Sequence, residues 1–268
     1  MHQGASRAAL GAVVAAALLM PASRGPDSAP PSRPFGGTAA VGALFTVTAG
    51  GRLGRHFCSA SVVHSRNGDL VMTAAHCLAG RTIGGARGIV FVPGYHRGQA
   101  PHGLWKVTEA FVDQAWTASQ DPDDDYAFLV ARRPGLVLEQ VTGAETLGIG
   151  LPPQRVTVIG YPDTTERPVT CTGRARVFHR TQLVFRCAGY PDGTSGGPFL
   201  AQVDPATGRG TVMGVIGGYQ QGGATADVSY SARLTPRARD LFRQAVAASL
   251  SPPAEPAVAR GGPPRCLD

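Results

Sequence analysis

From Val41 onward the chain is divided into short stretches of β-branched and aromatic residues by Gly, Pro and Asp. "VGALFTVTA", "HFCSASVVHS", "LVMTAAHC", "GIVFVPGY" and "YAFLVARR" come first. After a connecting stretch, "RRPGLVLEQVTGAETLG", the same texture resumes in "RVTVIGY", "VTCTGRARVF", "QLVFRCAG", "PFLAQV" and "TVMGVIGGY". Apolar runs this short, each ended by turn-forming residues, predict many short strands and an all-β architecture. The repetition gives two β-rich halves of similar size, over 35–135 and 136–234. A chain of 268 residues is long enough to give both a core.

The pattern changes at Thr235. This residue can cap a helix, Pro236 suits the first helical position, and Leu241, Phe242, Ala245, Val246 and Leu250 recur at helical spacing. The expectation is a C-terminal helix over 235–250, packed on the second β-half, and then a disordered Pro- and Gly-rich tail over 251–268. At the other end, Arg7 precedes an apolar run from Ala8 to Met20, followed by a stretch rich in Pro and Ser. That run is short for a membrane span and suits a signal peptide over 1–30, with cleavage between 23 and 35. An uncut signal anchor is the alternative. Export implies a secreted, extracellular protein with no stable membrane association after cleavage. The formal charge of +7 rests on arginine, Lys106 being the only lysine. Because the arginines are scattered and form no stripe, no nucleic-acid partner is expected.

An oxidising compartment makes cysteine pairing the default. Five cysteines are present, and they allow about fifteen two-bridge connectivities. Neighbourhood in the chain favours Cys58–Cys77 and Cys171–Cys187. Cys266, in the tail, is then free or intermolecular.

Ser195 lies in "GTSGGP", where flanking glycines suit either a bare turn or the tip of a catalytic loop. All seven histidines precede it: His2, His56, His64, His76, His96, His102 and His179. The nucleophile elbow of an α/β-hydrolase needs its histidine after the serine, so that design is eliminated. A base must come from the N-terminal half. His76, in "TAAHC", ends an apolar run beside a cysteine that can anchor its turn. A structural histidine is the bland alternative. Cys58, His76 and Cys77 lack a standard ligand spacing, so neither a metal nor any other cofactor is expected. In "DPDDDYAFLV", Asp121, Asp123 and Asp124 read as a solvated acidic turn. Asp125 abuts the apolar run and is the best candidate to point inward.

Together "TAAHC", "DYAFLV" and "GTSGGP" resemble the histidine, aspartate and serine motifs of the trypsin-like, chymotrypsin-fold serine proteases, in the same order. The similarity covers roughly Val41 to Leu250, and the opening segments look like secreted bacterial members. The resemblance implies two antiparallel six-stranded β-barrels with a C-terminal helix. It implies a secreted serine endopeptidase that acts on protein or peptide substrates as a monomer, with Ser195 as nucleophile, His76 as base and Asp125 orienting it. The N–H groups of Gly193 and Ser195 would form the oxyanion hole.

Two departures qualify the resemblance. Thr194 stands where many animal members carry the aspartate that pairs with a freed N-terminus, so activity is expected whatever the exact N-terminus. Around Cys187, the sequence suggests a specificity pocket from Gly189, Tyr190, Ile216, Gly217 and Gly218, suited to an apolar or small side chain. A catalytically inactive protease-fold binding protein is the competing reading, and a surface protein tethered by an uncut N-terminal segment is a third.

Overall fold

The computed structural model describes residues 29–85 and 87–250. Most of the expected signal peptide, the tail and Cys266 lie outside the described residues. A two-residue strand, β1 (Arg33–Pro34), leads into β2 (Val41–Val47), β3 (Leu53–Val62), β4 (Leu70–Thr73), β5 (Ile89–Pro93), β6 (Trp105–Val112) and β7 (Ala127–Arg132). Strands β2 to β7 close into a barrel in the order β2-β3-β4-β7-β6-β5, and every ladder is antiparallel. Leu44, Leu70, Met72, Phe91, Trp105 and Phe128 are among its fully buried side chains.

The second half contains β8 (Thr146–Leu147), β9 (Arg155–Gly160), β10 (Val169–Arg174), β11 (Arg176–Phe178), β12 (Gln182–Arg186), β13 (Pro198–Ala201), β14 (Thr211–Val215) and β15 (Val228–Ala232). These form a six-stranded sheet, β1-β10-β9-β13-β14-β8, and a three-stranded sheet, β11-β12-β15. Among the described residues the ladders do not join the two sheets into the expected second barrel. Where β14 meets β15, the Val215 N–H donates to Ser231 Oγ at 2.9 Å and, just beyond, the Gly217 N–H donates to Tyr230 O at 3.0 Å. The two sheets still share one core, in which the Phe185 and Phe199 rings meet edge to face at 5.8 Å.

Three α-helices complete the described residues: α1 (Gln114–Ser119), α2 (Leu138–Thr142) and α3 (Pro236–Ser249). The first two span a turn or so, too short to show a period in sequence. Local chemistry sets α1, since Asp113 caps it by accepting the Ala115 N–H at 2.8 Å. Helix α3 starts with Pro236 at its first position, and the Thr235 side chain makes no capping bond. It packs on β4, β6 and β7 of the first barrel, not on the second half as expected. The reason lies in β7, whose first five residues are all buried. Both faces of that strand need cover, and the Phe242 ring supplies it by meeting Phe128 at 5.5 Å. Ala238, Leu241 and Ala245 are buried behind it, while Leu250 remains exposed.

Glu145 ties the two halves through the connecting stretch. Its N–H donates to Val62 O at 2.9 Å, and its carbonyl accepts the His64 N–H at 2.9 Å. Its fully buried side chain accepts the Gly210 N–H, and the other carboxyl oxygen has no partner. Burial pushes this carboxyl up to about 7, with the Gly210 N–H and Arg209 pulling it only partly back. A carboxyl raised in the fold contributes stability that is present below its unfolded value near 4.5 and lost as pH rises through about 7. The loss is on the order of 3 kcal/mol. Glu145→Gln is therefore expected to remove a fall in melting temperature between pH 5 and 8, and to exceed wild type above pH 7. Superimposable pH profiles for the two proteins would contradict this.

Candidate active site

Strand β4 is apolar and buried to its end at Thr73. Ala74 is extended, and the chain then tightens into a 3-10 turn over Ala75–Leu78. Cys77 in this turn is bridged to Cys58 on β3, with the Cα atoms 6.2 Å apart. The bridge and the small residues around it fix the turn, leaving the His76 side chain 12% exposed. The sulfurs of Cys58 and Cys77 lie close to the His76 ring. Joined to each other, they are not thiolates and cannot ligate a metal in that form.

Asp125 follows a 3-10 turn over Pro122–Asp124 and precedes β7. Its buried carboxylate accepts three N–H bonds. His76 Nδ1 donates to Oδ2 at 2.8 Å and the His76 backbone N–H to Oδ1 at 2.9 Å. The Gly218 N–H, from the second half, reaches Oδ2 at 2.8 Å. With Nδ1 so engaged, the His76 ring is fixed in one orientation and carries no proton on Nε2 when neutral.

The other aspartates depart from a solvated turn. Asp121 caps the turn, accepting the Asp123 N–H at 3.0 Å. Asp123 accepts from Gln182 Nε2 at 2.6 Å. Asp124 is buried, accepts the Tyr126 hydroxyl at 2.9 Å and faces Arg237 of α3 at 3.2 Å. Burial raises the Asp124 carboxyl above the usual range, and the Tyr126 bond opposes that rise. A charge run is ordinarily solvated, and here the helix laid against the first barrel brings it a cation.

Ser195 sits in the loop between β12 and β13 and is held to the first barrel by Ser59 of β3. The Ser59 N–H donates to Ser195 O at 2.7 Å. Ser59 Oγ donates to Gly193 O at 3.0 Å and accepts the Tyr161 N–H at 2.8 Å. Ser59 neighbours the bridged Cys58, so the serine loop and the histidine turn share one support. Asp192 O accepts the Asp163 N–H at 2.9 Å, which turns the N–H of the same trans peptide, that of Gly193, away from Asp163. Gly193 has φ +88, and a Cβ there would overlap Tyr161 O and the Asp163 N–H. At Gly196, φ +79, a Cβ would strike Thr73 and the Ser59 carbonyl. Thr194 Oγ1 donates to Pro191 O at 2.6 Å, inside its own loop.

Beside Ser195 opens a cleft of about 320 Å³. Tyr190 and Ile216 line it, as the sequence suggests, together with Asp163, Asp192 and the segment 221–226. Gly189, Gly217 and Gly218 do not line it. Gly218 turns inward to Asp125, and the Gly217 N–H is used by Tyr230 O at 3.0 Å. The Gly189 and Tyr190 N–H groups both donate to Ala226 O, at 2.9 and 3.0 Å, so the two cleft walls are joined at their base. Cys187, bridged to Cys171, anchors the same loop. From outside, Pro30 O accepts the Ala188 N–H at 2.8 Å, and the Ser32 N–H donates to Ala188 O at 2.7 Å. Residues 30–32 therefore brace a cleft wall.

A closed β-barrel joined to a second β-half, with these side chains at the junction, is the architecture of a chymotrypsin-fold protease. The chain belongs to the trypsin-like peptidase domain family, whose model matches residues 58–215. Among solved structures it is similar to the protease Anisep from Arthrobacter nicotinovorans, 23% identical, covering 81% of this chain and 99% of that one with a TM-score of 0.67. A thermostable serine protease, AL20, from an extremophilic microorganism is 27% identical, covering 78% and 98%, TM-score 0.65. A Glu endopeptidase in complex with MPD is 15% identical, covering 81% and 97%, TM-score 0.58. No match was found among curated proteins.

The acidic turn yields a stability test. Asp124→Ala leaves the Tyr126 hydroxyl buried without its acceptor, and is expected to cost about 1–3 kcal/mol in denaturant unfolding. An unchanged unfolding midpoint would show that the Tyr126 and Arg237 contacts carry no stability.

Proposed function

We propose that this protein is a secreted serine endopeptidase working through Ser195, His76 and Asp125. The observation that carries the reading is the Asp125 carboxylate gripping both the ring and the backbone N–H of His76, with Ser195 tied by Ser59 to the strand that bears Cys58.

In this mechanism His76 Nε2 takes the Ser195 proton as Oγ attacks the scissile carbonyl carbon. Asp125 holds the Nδ1–H and stabilises the imidazolium that forms. The N–H groups of Gly193 and Ser195 donate to the developing oxyanion, and the outward Gly193 peptide supports that role. The imidazolium then protonates the leaving amine as the C–N bond breaks, which leaves an ester on Ser195. A water molecule, deprotonated by His76, attacks that ester, and the proton returns to Ser195 Oγ as the acid product departs.

We infer a small or apolar residue before the scissile bond, in a cleft that two aspartates, Asp163 and Asp192, also line. Tyr190, buried with its hydroxyl donated to Val158 O at 2.8 Å, lines the cleft. Ile216, Ala224 and Ala226 add further apolar surface. No histidine lines the cleft among the described residues. Two intrachain disulfides suit an oxidising, extracellular setting.

The test is hydrolysis of a panel of tetrapeptide p-nitroanilides. Wild type is expected to cleave those with Ala or Val before the amide, and Ser195→Ala to lose on the order of 10⁴- to 10⁶-fold in kcat with its melting temperature kept. A folded Ser195→Ala protein with substantial activity would overturn the assignment.

A further inference from the structure

Gln182 lies on β12, outside the cleft, and no step of the mechanism above uses it. It is buried, 3% exposed, and its amide is saturated by groups from both halves of the molecule. Nε2 donates to Pro122 O at 2.9 Å and to Asp123 Oδ1 at 2.6 Å, both in the turn that leads into Asp125. Oε1 accepts the Tyr219 N–H at 3.1 Å, next to the Gly218 N–H that holds Asp125 Oδ2. The orientation of the amide is fixed by its neighbours, because the nitrogen faces two acceptors and the oxygen faces a donor. An amide is therefore the side chain this site requires. A carboxylate would set oxygen against two acceptors, and an aliphatic chain would strand three polar groups.

The arrangement is a bracket. One end holds residues 122–123 of the first half and the other holds residue 219 of the second. Asp125, two residues beyond Asp123, accepts the N–H of Gly218, the residue before Tyr219, at 2.8 Å. Fixing the distance between the two segments fixes the carboxylate against its donor, and through the carboxylate the angle of the His76 ring. Close packing leaves little slack. Gly218 has φ +77, and a Cβ there would overlap Gln182 Oε1.

We propose that Gln182 is a positioning residue for the proton-transfer machinery, holding Asp125 and its Gly218 donor in register across the junction of the two halves. This role rests on the triad proposed above. Because Gln182 does not touch the cleft, its loss should lower the chemical step and leave ground-state binding nearly unchanged.

The test uses hydrolysis of p-nitrophenyl acetate, an ester that demands little of the cleft, by full-length wild type, Gln182→Leu and Gln182→Glu, with Ser195→Ala as the blank. Both Gln182 variants are expected to lose 10- to 100-fold in kcat with KM within about twofold of wild type. The nearly isosteric Gln182→Glu should still fold, as read by its melting temperature and circular dichroism, should Gln182→Leu not. A folded Gln182→Glu with wild-type kcat, or a loss confined to KM, would overturn the positioning role. Wild type no faster than the Ser195→Ala blank would instead refute the triad itself, and so the two failures are distinguishable.

Discussion

A carboxylate removed from water needs its oxygens occupied by donors, and everything around Asp125 is arranged to supply them. His76 brings two N–H groups from the first barrel, and Gly218 brings one from the second half. Hydrogen bonds to a charged group are each worth about 1.5–3 kcal/mol, and leaving a buried acceptor unpaired costs more than losing a neutral bond. The junction between the halves is thus held by the same interaction that sets the imidazole. Sliding one half against the other would break bonds to a buried carboxylate before it exposed any core.

That constraint explains why the supports are polar and lie at the seam. Ser59, fully buried, ties the first barrel to the carbonyls of Gly193 and Ser195 and to the Tyr161 N–H. The Cys58–Cys77 bridge fixes the neighbouring position in β3 to the histidine turn. The largest apolar cluster runs across both halves, joining Ile159, Leu200 and Val215 of the second to the core of the first barrel, and the polar contacts set the halves in register. A purely apolar seam would tolerate small displacements. Hydrogen bonds with a narrow range of length and angle do not.

The parts of this design that were legible in the sequence are those encoded by local runs. Short apolar stretches between turn residues announce strands, and the first six described after β1 close into a barrel. "TAAHC", "DYAFLV" and "GTSGGP" mark His76, Asp125 and Ser195 because each needs a specific local backbone, and the structure brings the first two into direct contact. What escaped the sequence depends on partners far along the chain. Asp124 sits in a run that looks solvated, and only the docking of α3 brings Arg237 over it. Ser59 and Gln182 are single polar letters in strands, where a buried and an exposed hydroxyl or amide read alike. The wall from 221 to 226 was missed because two non-glycine residues, Gln220 and Gln221, turn the chain at positive φ, which composition does not signal. The expected second barrel is not closed by ladders among the described residues, and one link between β14 and β15 runs through the Ser231 hydroxyl, which no local run announces.

If the Asp125–His76 contact activates Ser195, the folded protein must carry one serine far more nucleophilic than the rest. Intact-protein mass spectrometry after brief exposure to a fluorophosphonate measures that directly, with no substrate to choose. The predicted result is a single phosphonyl adduct that maps to the peptide containing Ser195, present in the native protein and absent after unfolding in denaturant. A native, correctly folded protein that acquires no adduct, or one that is labelled equally well when unfolded, would contradict the account.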